Sequence, residues 1–162
     1  MTTMAAINEF LSCERIAIVG VSRNEKDFSR AVFQEFVARG YDVAPVNPNA
    51  VEIGGRTCFS DVGSIEPPVQ GALIMTPATH SEDIVRACAH AGIKRIWLHR
   101  GAGLGSFSPA AVTLAEECGM TVVEGECPLM FLNDTGWIHS AHRVWKKVTG
   151  RHPLAAQALL SL

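Results

Sequence analysis

The residues best suited to chemistry sit in a few short segments, each following an apolar run. The first is Gly20-Val21-Ser22, with Arg23, Asn24, Lys26, Ser29 and Arg30 behind it. A glycine at the end of a strand lets the backbone turn sharply or approach a ligand closely. Free amides at the start of the helix that follows, with its positive dipole end, favour a phosphate. Arg23, Lys26 and Arg30 add fixed positive charge. The alternative is a plain strand-to-helix connection with exposed basic residues. The second segment is Pro45-Val46-Asn47-Pro48. Its prolines stiffen the loop and remove two amides. Asn47 can donate and accept hydrogen bonds, which suits an adenine or ribose edge, or it can bond its own backbone in a rigid turn. A site for NAD usually needs an Asp or Glu about 20 residues past its glycines to hold the ribose hydroxyls. Here that position is Asn47, and Gly20 lacks the other two glycines of the G-x-G-x-x-G spacing.

The third segment is Met75-Thr76-Pro77-Ala78-Thr79-His80. Met75 and Pro77 suit apolar contact with an adenine or a pantetheine chain. Thr79 or Ser81 is expected to cap the next helix, with Glu82 and Asp83 in its first turn. His80 reads as a solvated loop residue. The fourth segment is His99-Arg100-Gly101-Ala102-Gly103-Leu104-Gly105. Its glycines give a mobile or ligand-hugging loop. His99 could serve as a general base at neutral pH, but no serine, cysteine or carboxylate is obviously paired with it. A hydrogen-bonding or packing role is the plainer reading. In Glu124-Gly125-Glu126-Cys127-Pro128, Cys127 is read as a buried structural thiol rather than a reactive one. His139 and His142 lie three apart with no carboxylate or cysteine spaced to join them, so no metal is expected there.

These segments need elements to hold them. A short helix is expected near Thr3 to Ser12, with Ile7, Phe10 and Leu11 on one face. Strands are expected at Arg15 to Val19, Asp42 to Val46, Gly71 to Met75, Arg95 to Leu98 and Met120 to Val123. Helices are expected at Phe28 to Arg39, Ser81 to Ala91 and Pro109 to Cys118, the last capped by Ser108 with Pro109 at its first position. A final helix is expected at Gly136 to Val148, where Trp137 and Trp145 would pack on the domain or on a partner subunit. The strands are short and continuously apolar, as strands covered on both faces are. The pattern predicts an α/β fold with a single doubly wound, parallel five-stranded sheet. The expected strand order is 3-2-1-4-5, with the ligand crevice at the carboxyl ends of the first and fourth strands.

The chain of 162 residues fits one domain with a real core. A net charge of −2 gives no electrostatic case for nucleic acid or an anionic membrane. Apolar runs fall short of the ~20 residues that a membrane span needs. The stretch Met1 to Glu14 lacks a basic start and does not read as a secretory signal. Five scattered cysteines form no C-x-x-C pair, so reduced thiols in a cytoplasm are the expectation.

The series Ala17-Ile18-Val19-Gly20-Val21-Ser22, then Gly40-Tyr41-Asp42-Val43 to Pro45-Val46-Asn47-Pro48, Gly54, Trp97-Leu98 with Gly101, and Cys127-Pro128 resembles the small stand-alone CoA-binding proteins. These are Rossmann-like domains related to the CoA-binding part of the succinyl-CoA synthetase α subunit. The resemblance covers residues 13–131. The helix running into Thr149-Gly150-Arg151-His152-Pro153 is similar to an extension in one bacterial subset, giving an expected single domain over 1–162 with a helical extension at 134–162. The resemblance implies CoA lying across the carboxyl ends of the strands. Its adenosine and phosphates would meet Gly20, Val21 and Ser22, the basic stretch after them, and Val46, Asn47 and Pro48. Thr76 and Pro77 would line the middle, and the loop at Gly101 would face the pantetheine. Two departures, Trp97-Leu98-His99-Arg100 where many relatives read Trp-Leu-Gln and Met75-Thr76-Pro77 where an apolar-aromatic run is common, fall where the thiol end would lie. The implied function is non-catalytic binding of CoA or an acyl-CoA, with a homodimer compatible with the aromatic tail. The competing expectation is a small NADP- or nucleotide-dependent enzyme using His99 as its acid-base group.

Overall fold

The computed structural model describes residues 1–100 and 105–132. The glycine loop from Gly101 and the expected final helix, with His139 and His142, lie outside the described residues.

Each helix begins where its local chemistry allows. Helix α1 (Met4–Leu11) opens on Thr3, whose hydroxyl accepts the Ala6 amide at 3.1 Å. It buries Ala6, Ile7, Phe10 and Leu11. Helix α2 (Phe28–Ala38) buries Val32, Phe33 and Phe36. Helix α3 (Ser81–His90) departs from expectation at its start, because neither Thr79 nor Ser81 caps it. Ser81 is fully buried and its hydroxyl donates to the Ser106 carbonyl at 2.6 Å. Glu82 and Asp83 do occupy the first turn of α3, where their charge suits the helix dipole. Helix α4 (Pro109–Glu117) is capped by Ser108, which accepts the Ala111 amide at 3.3 Å.

The strands are β1 (Arg15–Val19), β2 (Asp42–Val46), β5 (Gly71–Ile74), β6 (Arg95–Leu98) and β7 (Thr121–Glu124). Between β2 and β5 lies a small hairpin, β3 (Glu52–Ile53) with β4 (Arg56–Thr57), which turn residues alone did not announce. The main sheet is entirely parallel, in the order β2-β1-β5-β6-β7. The doubly wound α/β class is as expected. The 3-2-1-4-5 winding is met with its third place reduced to one parallel bridge, Phe59 beside Val46. Gly71–Ile74, expected as the third strand, therefore pairs with β1 and takes the fourth place. Pro48, Gly54 and Gly55 break the intervening stretch, so no full strand forms beyond β2.

This shift moves the crevice. The winding reverses between β1 and β5, not between β1 and the strand Arg95–Leu98. The register brings Val19 level with Val46 and Ile74, and Ile74 level with Leu98. All carboxyl ends therefore open at one height.

Successive residues of β1 face opposite layers. Ile16 and Ile18 join the core under α1 and α2, with Phe33, Phe36 and Trp97. Ala17 and Val19 join the core under α3 and α4, with Ile74, Val85, Ile96 and Leu98. Trp97 is wholly buried, edge-on to Phe10 at 5.3 Å, and its indole N–H donates to the Glu126 carbonyl at 2.9 Å. All five cysteines are free. Burial pushes the thiols of Cys13 and Cys88 up to about 11 and about 12. Among the described residues no helix is long and apolar enough to cross a membrane.

Candidate functional site

At the reversal point a cavity of about 600 Å³ opens over the ends of β1, β2 and β5. Val19 and Gly20 come from the first end, Val46, Asn47 and Pro48 from the second, and Met75, Thr76 and Pro77 from the third. Seven residues expected at a site thus share one wall: Gly20, Val46, Asn47, Pro48, Met75, Thr76 and Pro77. The opposite wall was not foreseen. It consists of Ser60, Asp61 and Val62 together with His80, Asp83, Ile84 and Ala87. For the second group the signal existed, since 80, 83, 84 and 87 share one face of the helix that follows Thr76-Pro77. For Ser60 to Val62 no local signal existed, because a turn-rich stretch brings them over the sheet.

Gly20 has a backbone φ of +92°. A Cβ there would lie 2.9 Å from Thr76 Cγ2 and 3.1 Å from the Thr76 backbone nitrogen. Its amide donates to the Val46 carbonyl at 2.9 Å. The glycine is therefore required by the close approach of β5, whatever binds above it. Asn47 realises the turn option and adds a clamp. Its Oδ1 accepts the Asn49 amide at 2.8 Å, and its Nδ2 donates to the Val21 carbonyl at 2.8 Å.

The loop after Gly20 is closed on itself. Val21 is wholly buried. The Ser22 amide donates to the Ser29 hydroxyl at 2.9 Å, and the Ser22 hydroxyl donates to Asp27 at 2.6 Å. Asn24 donates from Nδ2 to Asp27 at 3.0 Å and accepts the Lys26 amide at 3.1 Å. Arg30 was expected among the phosphate-binding cations. It is only 5 % exposed, and its Nη1 lies 3.4 Å from the carbonyls of both Ser22 and Arg23. It pins the loop from beneath, and Glu25 stands 3.6 Å from it. Arg23 and Lys26 are exposed and are the cations this loop offers to solvent.

His99 ends up apart from the cavity. It follows β6, one strand beyond β5, and its ring stacks on Phe28 of α2 at 5.4 Å and 26°. The residue is 5 % exposed, and the Glu126 backbone is the polar group that acts on its ring. Burial lowers its pKa below the ordinary histidine value, with the Glu126 backbone acting in the opposite sense. Arg100 lies 5.4 Å over the Phe107 ring, which packs against the α3 and α4 core. Cys127 is half-buried and precedes the turn Pro128–Met130. Gly101 is outside the described residues.

Among the described residues the ionisable groups lining the cavity are Asp61, Asp83 and His80, with no lysine or arginine. Valines, prolines, Met75, Ile84 and Ala87 make most of the rest. Thr76 Oγ1 is buried without a partner among the described residues. Such a space suits an uncharged flat ring better than a phosphate, and the exposed cations of the loop, Arg23 and Lys26, do not line it. Among the described residues no group of His, Cys, Asp or Glu gathers to hold a metal.

Comparison with known proteins fits this geometry. A hypothetical protein from Pyrococcus horikoshii OT3 has a TM-score of 0.73 at 26% identity, covering 80% of this chain and 89% of that one. Prb, a protein redesigned for binding, has a TM-score of 0.74 at 27% identity over the same shares, 80% and 89%. The ADP-forming acetate–CoA ligase of Methanocaldococcus jannaschii is 27% identical over 79 residues, which are 49% of this chain and 11% of the ligase. The chain thus spans a small part of that ligase. A CoA binding domain model matches residues 14–133, from the start of β1 past the end of β7, and the chain belongs to that family.

Proposed function

We propose that this protein binds CoA or an acyl-CoA across the carboxyl ends of its strands and performs no chemistry of its own. The observation that carries this is the apolar cavity of about 600 Å³ at the point where the winding reverses, in a chain of the CoA binding domain family. The adenine ring fills the cavity between Pro48 and Pro77 and meets the Thr76 hydroxyl, which has no partner among the described residues. The phosphates lie over Gly20, toward exposed Arg23 and Lys26. The missing carboxylate at Asn47 supports CoA over NAD. The non-catalytic part is supported by His99, which does not line the cavity and has no carboxylate orienting its ring among the described residues. Five free thiols support a reducing cytoplasm as the setting.

A thermal-shift titration against CoA, dephospho-CoA, acetyl-CoA, NAD and NADP tests this. Ligand at a hundred times its dissociation constant adds about 2.7 kcal/mol. For a domain of this size that is a rise of roughly 5–10 °C. The expected result is such a rise with CoA or acetyl-CoA and none with NAD. A rise with NADP and none with CoA overturns the proposal in favour of a nucleotide-dependent enzyme.

A further inference from the structure

We infer that the cavity selects against a phosphate on the ribose of its ligand, and that Asp61 and Asp83 are the residues that determine this specificity. This rests on the CoA reading above and narrows its ligand class: dephospho-CoA, whose ribose is unphosphorylated, binds more tightly than CoA itself.

The cations of the crevice stand on one rim. The loop after Gly20 presents Arg23 and Lys26 to solvent, and neither lines the cavity. The facing wall presents Asp61 and Asp83, and among the described residues no lysine or arginine lines the cavity on any side. Local bonds hold Asp61 in place. Its Oδ1 accepts the Ser64 amide at 3.0 Å and its Oδ2 accepts the Ser60 hydroxyl at 2.9 Å, which fixes the carboxylate without neutralising it. Asp83 lies in the first turn of α3 beside Glu82. Arg86 stands 3.9 Å from each of these two carboxylates and does not line the cavity. One guanidinium thus answers two carboxylates, and the turn keeps a net negative charge.

The stereochemistry of the ligand supplies the rest. An adenine ring in the cavity puts its ribose at the mouth. On that sugar the 3′-oxygen and the 5′-carbon project from opposite faces. A 5′ chain that turns to Gly20 therefore turns the 3′ position away from Arg23 and Lys26. A phosphate there brings a charge of about −2 to a wall that holds two carboxylates. It also surrenders part of its hydration, and no cation among the described residues replaces it. A free hydroxyl in the same place meets neither cost. Asp61 and Asp83 are exposed, so salt screens the repulsion and the discrimination is several-fold rather than absolute.

The test is calorimetry on the full chain with CoA and dephospho-CoA, at low and at high ionic strength. It is run at about pH 8, above the ordinary titration range of histidine. Dephospho-CoA is expected to bind about three- to tenfold more tightly than CoA at low ionic strength, with the gap closing as salt is added. The double variant Asp61→Asn, Asp83→Asn should lose the preference, and Asn at 61 can still accept the Ser64 amide. Asp83→Lys, at a side chain that is 87% exposed and so replaceable without disturbing the fold, should favour CoA instead. A parent protein that binds CoA as tightly as dephospho-CoA, or more tightly, keeps the CoA reading and overturns the inference. A preference that survives in the double variant overturns it too, because the discrimination then lies elsewhere. A parent that binds neither ligand refutes the CoA reading itself.

Discussion

Gly20 carries a steric constraint that is independent of any ligand. Its φ of +92° is a conformation that residues with a Cβ rarely adopt, and the space a Cβ would need is filled by Thr76. Gly20→Ala is therefore expected to destabilise the ligand-free protein by about 2 kcal/mol or more, read as a lower urea midpoint. If the glycine served only to admit a ligand, the midpoint would stay where it is and binding alone would fall. Arg30 teaches a similar lesson from the opposite direction. A basic residue near a phosphate-type loop reads as a ligand cation, yet its guanidinium is spent on the carbonyls of Ser22 and Arg23. Exposure separates it from Arg23 and Lys26, and exposure is not written in the local sequence.

Elements around the site are joined by one buried polar knot. The Ser106 hydroxyl lies 2.7 Å from the Ile74 carbonyl and 2.8 Å from the His99 carbonyl, and the Ser106 carbonyl accepts the Ser81 hydroxyl at 2.6 Å. The ends of β5 and β6, the start of α3 and the approach to α4 are thereby tied together. This explains why Ser81 does not cap α3: its hydroxyl is already engaged inside the protein. Ser106→Ala is expected to lower stability by about 1–2 kcal/mol, and Ser81→Ala by a similar amount. Ala at position 106 keeps the backbone carbonyl that takes the Ser81 hydroxyl, so the two losses should add to within about 0.5 kcal/mol in denaturant melts. A double variant that loses much less than the sum would mean that the two hydroxyls act as one unit.

At the scale of the molecule, β1 and β5 form the centre. Each is paired on both sides, and the sheet is covered by α1 and α2 on one face and by α3 and α4 on the other. Native-state hydrogen exchange should therefore be slowest at Ile16 to Val19 and Ala72 to Ile74, and faster along the edge strand β7. Uniform protection across all five strands would contradict this ordering. The same centre holds the point where the winding reverses, so the candidate site is built on the most rigid part of the sheet. The wall of Ser60, Asp61 and Val62 comes instead from a connection paired to the sheet by the single bridge at Phe59.

The amino-acid pattern alone determined the parallel doubly wound class, because continuous apolar runs of strand length can be buried only between two helical layers. It determined most helix limits, because caps, prolines and glycines act over a few residues: Ser108 caps α4 as its place before Pro109 predicts. It also singled out the strand-end residues of the cavity wall, since a parallel sheet collects its carboxyl ends on one side. Only the tertiary structure decided which strands are neighbours, and so that the crevice lies between β1 and β5 rather than at His99. Strand order depends on how the long connection from Asn47 to Gln70 folds back, which no local periodicity encodes. Burial decided the rest. Arg30, Ser81 and His99 change role when neighbours distant in sequence close around them, because a polar group removed from water must answer to whatever surrounds it.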